Sequence, residues 1–380
     1  MSSRKVAVLS SVQMEHEKMF SEEHEEAVFK VSKKALTDAG LTRKDVGTVV
    51  QCGMDYFDGK IISSSFLIES SGAYLRDESK VAEDGAYAVA YACMRILSGV
   101  FDVAIVVAQS KASNINVSTV MNYYFDPYFQ RMFGLDDISA SALQAKRYMH
   151  KYGVTEEQIA AASVKNHNNA LRNPYAHRKL KIKLEDVLKS GVLAPPIKLL
   201  DASPRSDGAC AMVLASEEVA RKVTDDPVWI KGMGFSTDAF YLGDRDLADV
   251  KSLELAARSA YKMAGIKNPG KQIDVAEVHD AFSYQELMWT ELLGFCKRGE
   301  GAKLIKEGVT TMDGELPVNP SGGLIATNPF YAAGLIRVAE AALQVKGDAG
   351  KRQVKNVNTA LAHGATGVCG QGNCVFILGR

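Results

Sequence analysis

Three short stretches in the last third of the chain set reactive side chains beside turns. The first, VAEVHDAF (275–282), puts His279 and Asp280 just after a run that reads as a strand and before SYQELMWTELLGF, which reads as a helix. Imidazole is the side chain whose ordinary pKa lies nearest neutrality, so His279 can serve as a general base; a histidine that merely caps the helix gives the same pattern. The second, LPVNPSGG (316–323), lets the backbone pass close to a ligand and continues through IATNPFYAAG (325–334) into another helix. The third, ALAHGATGVCGQG (360–372), carries His363 and Cys369 in a glycine-rich turn between strands. Three such turns can converge on one pocket. A fourth stretch, KVAEDGAYAVAYACMRILSG (80–99), has the strand, turn and amphipathic helix on which many acyl-transferring enzymes mount a nucleophile. Its turn offers only Ala82, Glu83, Asp84 and Gly85. Glu83 and Asp84 suit the positive end of a helix dipole and read first as caps, with Glu83 also placed to act as a base.

The elements that must hold these groups repeat. Residues 31–50 run from a helix ending at Ala39-Gly40-Leu41 through a polar turn with Asp45-Val46 into a strand; residues 256–278 repeat that order with Ala264-Gly265-Ile266 and Asp274-Val275. Glycine at both helix ends fits a left-handed C-cap. Segments 85–108 and 334–362 echo each other as helix, glycine and strand. Helices alternating with short apolar strands predict a layered α/β architecture. The chain divides into an N-terminal half (1–120), an insertion with a return to the first half (121–227), and a C-terminal half (228–380). The aromatic and basic residues of the insertion suit either a binding surface or a contact between subunits.

Composition limits the partners. The 380 residues are 47% hydrophobic, enough for a large core, and 45 basic residues balance 45 acidic ones, so nothing points to nucleic acid or a charged membrane. Six scattered cysteines have no metal-ligand spacing and do not read as a disulfide framework. No apolar run is long enough to span a membrane, and the expected location is the cytoplasm.

The order of these motifs resembles the thiolase superfamily, above all its sterol-carrier-protein-type and archaeal branch. The resemblance runs from VAVLSSV at the start through SDGACAMVLA (206–215) to FILGR at the end. Its specific marks are VHDAF (278–282) followed by ELLGF (291–295), the NPSGG loop (319–323) and the AHG ending (362–364). It implies an α/β thiolase fold, two repeated five-layered (αβαβα) halves with an inserted loop domain, usually dimeric. The activity it implies is making or breaking a carbon–carbon bond beside a coenzyme A thioester.

Within the resemblance, the family's nucleophilic cysteine falls at Ala82 and its GHP histidine at Asn328. The expected catalytic residues are His279, Asn328, His363, Tyr331 and Cys369. Tyr331 falls where thiolase-like steroid side-chain aldolases, which also lack the cysteine, carry a tyrosine; Cys369 lies near the family's second, acid/base cysteine. Ala82, Glu83, Asn319, Ser321, Gly322, Gly323 and Gly370 are the expected substrate contacts. An alanine forms no thioester, so two cysteine-free routes remain: thiolytic cleavage of a 3-oxoacyl-CoA, and retro-aldol cleavage of a β-hydroxyacyl-CoA. A non-catalytic acyl-CoA-binding subunit is the other alternative. Coenzyme A enters as substrate or product, with no covalently bound cofactor. The expected partners are a second copy of the chain and a small zinc-ribbon/OB-fold subunit, which would hold any zinc.

Overall fold

A computed structural model describes residues 4–380. The first half runs β1 (Val6–Gln13), α1 (His24–Asp38), β2 (Thr48–Cys52), β3 (Asp77–Val81), α2 (Gly85–Leu97) and β4 (Val103–Ser110). After an insertion containing α3 (Asp137–Tyr152) and α4 (Glu156–Ala170), the chain returns as β5 (Gly208–Ser216). The second half runs β6 (Val228–Thr237), α5 (Lys251–Ala264), β7 (Val275–Glu277), α6 (Ser283–Leu292), α7 (Ala333–Lys346), β8 (Thr359–Thr366) and β9 (Gly372–Gly379).

The nine strands lie in the order β3-β2-β4-β5-β1-β6-β9-β8-β7. Each half repeats one pairing plan. β4 is parallel to β2 and antiparallel to β5, and β8 is parallel to β7 and antiparallel to β9. The halves join where β1 and β6 pair through Ala7 with Trp229 and Val8 with Val228. Gly40 and Gly265 both adopt the left-handed conformation expected of them, at φ 67° and 73°.

Burial on both strand faces explains the runs of consecutive apolar residues, because each sheet is covered on both sides. Ile105 and Val107 of β4 face one way, onto Val28, Val31 and Ala35 of α1. Val106 and Ala108 face the other, onto Ala88, Val89 and Ala92 of α2. In the second half Leu361, Val375 and Ile377 meet Leu253 of α5 and Leu287 of α6, while Ala362 and Phe376 turn inward to α7. The layers are therefore helix, sheet, helix, sheet, helix, with α2 and α7 sharing the middle. That position accounts for the near-complete burial of α7 around its circumference.

The insertion lies against the second half. Ala145, Tyr148 and Ile159 of α3 and α4 join the α5–α6 core. Asn166 Nδ2 on α4 donates to Asp280 Oδ2 at 2.7 Å, and Asn169 Nδ2 to the Asn319 carbonyl at 3.0 Å. The segment thereby walls off the ends of β7 and β8. No helix is long and apolar enough to cross a membrane among the described residues.

Candidate active site

The carboxyl ends of parallel strands are where open α/β sheets place ligands. β7 ends at Glu277, and His279 follows beside the end of β8. The Ala365 N–H donates to His279 Nδ1 at 3.3 Å, and Trp289 Nε1 donates to the His279 carbonyl at 2.7 Å. With Nδ1 accepting, the neutral ring carries its proton on Nε2. Burial, then the neighbouring His363 and Arg337, lowers the His279 pKa to about 3, so the ring is neutral at physiological pH. In this arrangement His279 offers the cavity a hydrogen-bond donor, where the sequence had pointed to a base.

His363 does not line the cavity. Its Nδ1 accepts from the His279 backbone N–H at 3.4 Å, and its Nε2 donates to Asn373 Oδ1 at 2.9 Å. Asn373 Nδ2 in turn donates to the Gly370 carbonyl at 2.8 Å, which fixes the direction of the chain. Burial lowers His363 to about 4. It holds His279 from behind.

The NPSGG loop also stands behind the site. Asn319, Ser321, Gly322 and Gly323 are buried. Val278 N donates to Asn319 Oδ1 at 2.7 Å, Ser321 Oγ to Glu277 Oε2 at 2.7 Å, and Leu324 N to Asp280 Oδ1 at 2.6 Å. Arg337 completes the set by pairing with Glu277. The expectation that these four residues contact substrate is therefore corrected. Their polar atoms are spent anchoring the strand end and the residues on either side of His279.

The opposite wall comes from the TNPFY turn. The Asn328 backbone N–H donates to Ser206 Oγ at 3.1 Å and its Nδ2 to Ser203 Oγ at 3.0 Å, leaving one side-chain N–H unused. Tyr331 sits at φ 63°, a conformation bulky residues rarely take, and its hydroxyl lies 2.5 Å from that of Tyr124. Burial raises the pKa of both phenols. Tyr331 and Cys369 are two of the six non-glycine residues with positive φ among the described residues, and both line the same cavity.

Ala82 and Glu83 are exposed and do not line the cavity. The residue of that turn that does is Asp84. Its oxygens accept from Ala86 N at 3.0 Å and Gly334 N at 2.9 Å, the first turns of α2 and α7. Burial raises its carboxyl to about 7. A Cβ at Gly334 or Gly364 would overlap Asp84 Oδ1, so both glycines make room for this carboxyl.

No cysteine takes over the nucleophile's post. Cys369 and Gly370 line the cavity, yet the Cys369 thiol donates to the Ala140 carbonyl at 3.3 Å and burial pushes it up to about 12. Cys52 lies behind the empty turn, donating to the Glu83 carbonyl at 3.1 Å; burial and then Asp84 and Asp58 raise it far above the usual thiol range. Burial also raises Cys93, Cys210, Cys296 and Cys374. The nucleophile of thiol chemistry is the thiolate, and none of the six thiols is poised to be one.

Together these walls enclose a cavity of about 620 Å³, lined by Asp84, Tyr124, His279, Asn328, Tyr331 and Cys369 among others. Lys18, Arg178 and Arg205 bring positive charge to the lining, while burial and then Arg178 lower the pKa of His177 and keep its ring neutral. Tyr124, Asp137, Ser141 and Arg205 went unmarked in the sequence because they sit in or after the insertion. Asp136-Asp137 ahead of a helix reads only as a cap, and Asp136 does cap α3. Among the described residues no group of three histidine, cysteine, aspartate or glutamate side chains could hold a metal ion.

Residues 235–380 match a family model described as thiolase C-terminal domain-like. The chain is 34% identical over 375 residues to the acetyl-CoA acetyltransferase of Methanothermobacter thermautotrophicus, spanning 97% of both. It is 34% identical over 231 residues to benzoylsuccinyl-CoA thiolase subunit BbsB of Thauera aromatica, covering 60% of each chain. The solved Ltp2-ChsH2(DUF35) aldolase superposes with a TM-score of 0.85 at 26% identity, over 99% of this chain and 98% of that one.

Proposed function

The chain belongs to the thiolase superfamily, and from that premise we propose that it cleaves or forms the carbon–carbon bond next to the thioester of a 3-oxoacyl-CoA without a covalent acyl-enzyme. The observation that carries this reading is the pairing of an empty nucleophile turn with an intact set of donors. Ala82 stands where the resemblance puts the cysteine and all six thiols are raised, while His279 Nε2–H and the free Asn328 N–H belong to the same cavity. Donors fixed in advance of the reaction stabilise the enolate charge that develops when the bond breaks. Free coenzyme A attacks the β-carbonyl directly, and the bond breaks as that adduct collapses. Lys18, Arg178 and Arg205 supply positive charge for its phosphates or for a carboxylate on the substrate.

The specific substrate we propose is benzoylsuccinyl-CoA, cleaved to benzoyl-CoA and succinyl-CoA in aromatic compound breakdown; the likeness to BbsB supports it. Retro-aldol cleavage of a β-hydroxyacyl-CoA is the second reading. It is favoured by Tyr331 in the cavity wall and by the likeness to a solved aldolase. In either case the chain acts as a dimer alongside a small zinc-ribbon/OB-fold subunit, in the cytoplasm. A relative named as a subunit and a neighbour solved with a DUF35 protein support the partnership.

Product analysis tests the reading. The chain, with and without its partner, is mixed with 3-oxoacyl-CoA plus coenzyme A and, separately, with β-hydroxyacyl-CoA. A second CoA thioester identifies thiolysis, and a free aldehyde or ketone identifies retro-aldol cleavage. His279→Ala is expected to lower kcat about 100-fold, the usual cost of one oxyanion donor. If neither ester is cleaved, and His279→Ala leaves the complex unchanged, the chain is an acyl-CoA-binding subunit instead.

A further inference from the structure

Both reactions need a group that takes a proton from oxygen or sulfur, and most of the polar groups around His279 are already engaged. His279 has its acceptor nitrogen engaged by Ala365 N–H. The two nitrogens of His363 are both occupied, and its ring lies outside the cavity lining. Asp84 accepts backbone N–H groups from two helices. Tyr124 and Tyr331 are held protonated by burial.

Asp137 differs from all of these. It is the first residue of α3, it lines the cavity, and its Oδ1 is buried with no hydrogen-bond partner. The turn that follows packs on the C-terminal loop, where Ala140 O accepts from the Cys369 thiol, and Ser141 lines the cavity one turn after Asp137. This wall continues through Gly370 and Val368 to Ala365, which orients His279. A buried acceptor without a partner is stabilised when a ligand supplies the donor.

We propose that Asp137 is the general base of carbon–carbon cleavage, and that the donor meeting its free oxygen is the β-hydroxyl of the substrate or the thiol of coenzyme A. The assignment rests on the function proposed above. In retro-aldol cleavage Asp137 takes the hydroxyl proton, the oxygen lone pair becomes the new C=O bond, and the Cα–Cβ pair moves onto the enolate held by His279. The enolate carbon then recovers the proton from Asp137. In thiolysis Asp137 takes the thiol proton, the thiolate adds to the β-carbonyl, collapse of the adduct expels the same enolate, and the enolate carbon takes the proton back from Asp137. One carboxyl therefore balances either reaction. Burial raises Asp137 to about 6, helped by Asp136 and opposed by Arg205, which leaves it ionised yet basic at neutral pH.

The experiment compares wild type, Asp137→Asn and Asp137→Glu, with the partner subunit present, on whichever ester the wild type cleaves. Asp137→Asn should lower kcat at least about 100-fold and abolish the acid limb of the kcat profile, while acyl-CoA affinity changes less than about threefold. Asp137→Glu should recover at least about tenfold of the loss, which a merely structural aspartate would not allow. A kcat for Asp137→Asn within about threefold of wild type, or an acid limb that persists in that variant, overturns the base assignment alone. Failure of the wild type to cleave either ester overturns the functional reading and the base with it.

Discussion

Asp84 Oδ2 accepts the Gly334 N–H at 2.9 Å, so one carboxylate at the head of α2 also caps α7, 250 residues later in the chain. The contact is close enough that Gly334 has no room for a side chain. Gly334→Ala should destabilise the fold by about 1–3 kcal/mol, the usual range for overpacking. Gly191→Ala is the control, since nothing lies within 4 Å of the added carbon. Urea unfolding of the two variants compares them; equal stability would show that Asp84 yields without cost.

The same carboxylate makes a pH-dependent contribution. Its folded-state pKa is raised from 3.8 to about 7. Between those values the folded chain holds a proton that the unfolded chain has lost, so the contribution is full below the lower value and is lost as pH climbs through the upper one. Asparagine does not titrate. The deficit of Asp84→Asn relative to wild type should therefore be larger at about pH 5 than at about pH 8, and equal deficits in the two unfolding curves would remove this account.

Tyr124 and Tyr331 share a hydroxyl contact, so their roles should be coupled. In a cycle of Tyr124→Phe, Tyr331→Phe and the double variant, kcat/KM should show an interaction energy of about 0.5–3 kcal/mol. Additive losses would mean that the two phenols act separately.

A cavity without a thiolate should tolerate thiol reagents. Iodoacetamide at neutral pH is expected to leave activity unchanged, and Cys369→Ala to keep kcat within about threefold, because thiols raised this far react slowly. Rapid inactivation, traced by mass spectrometry to one cysteine, would restore a covalent route.

The repeat was legible from Gly40 and Gly265 because a left-handed cap has a residue signature, and the VHDAF stretch was legible because a histidine after a short apolar run is rare enough to notice. The direction of the His279 proton was not: it depends on Ala365, whose N–H reaches the ring only after β8 has paired with β7. The NPSGG loop misled because glycines that let a backbone approach a ligand also let it approach Ala170 and Asp280. Asp137 and Tyr124 belong to the insertion, whose residues meet the strand ends only in three dimensions. Nothing in their local spacing marks them.

The middle layer sets a condition on how the two halves can exist. Since α2 and α7 bury their faces against each other and against both sheets, neither repeat holds a finished interior of its own. Either half taken alone would leave the face that its middle helix turns to the other half open to water. One carboxylate, Asp84, stands at that seam and accepts from the first turns of both helices, so each half completes the other at a single side chain.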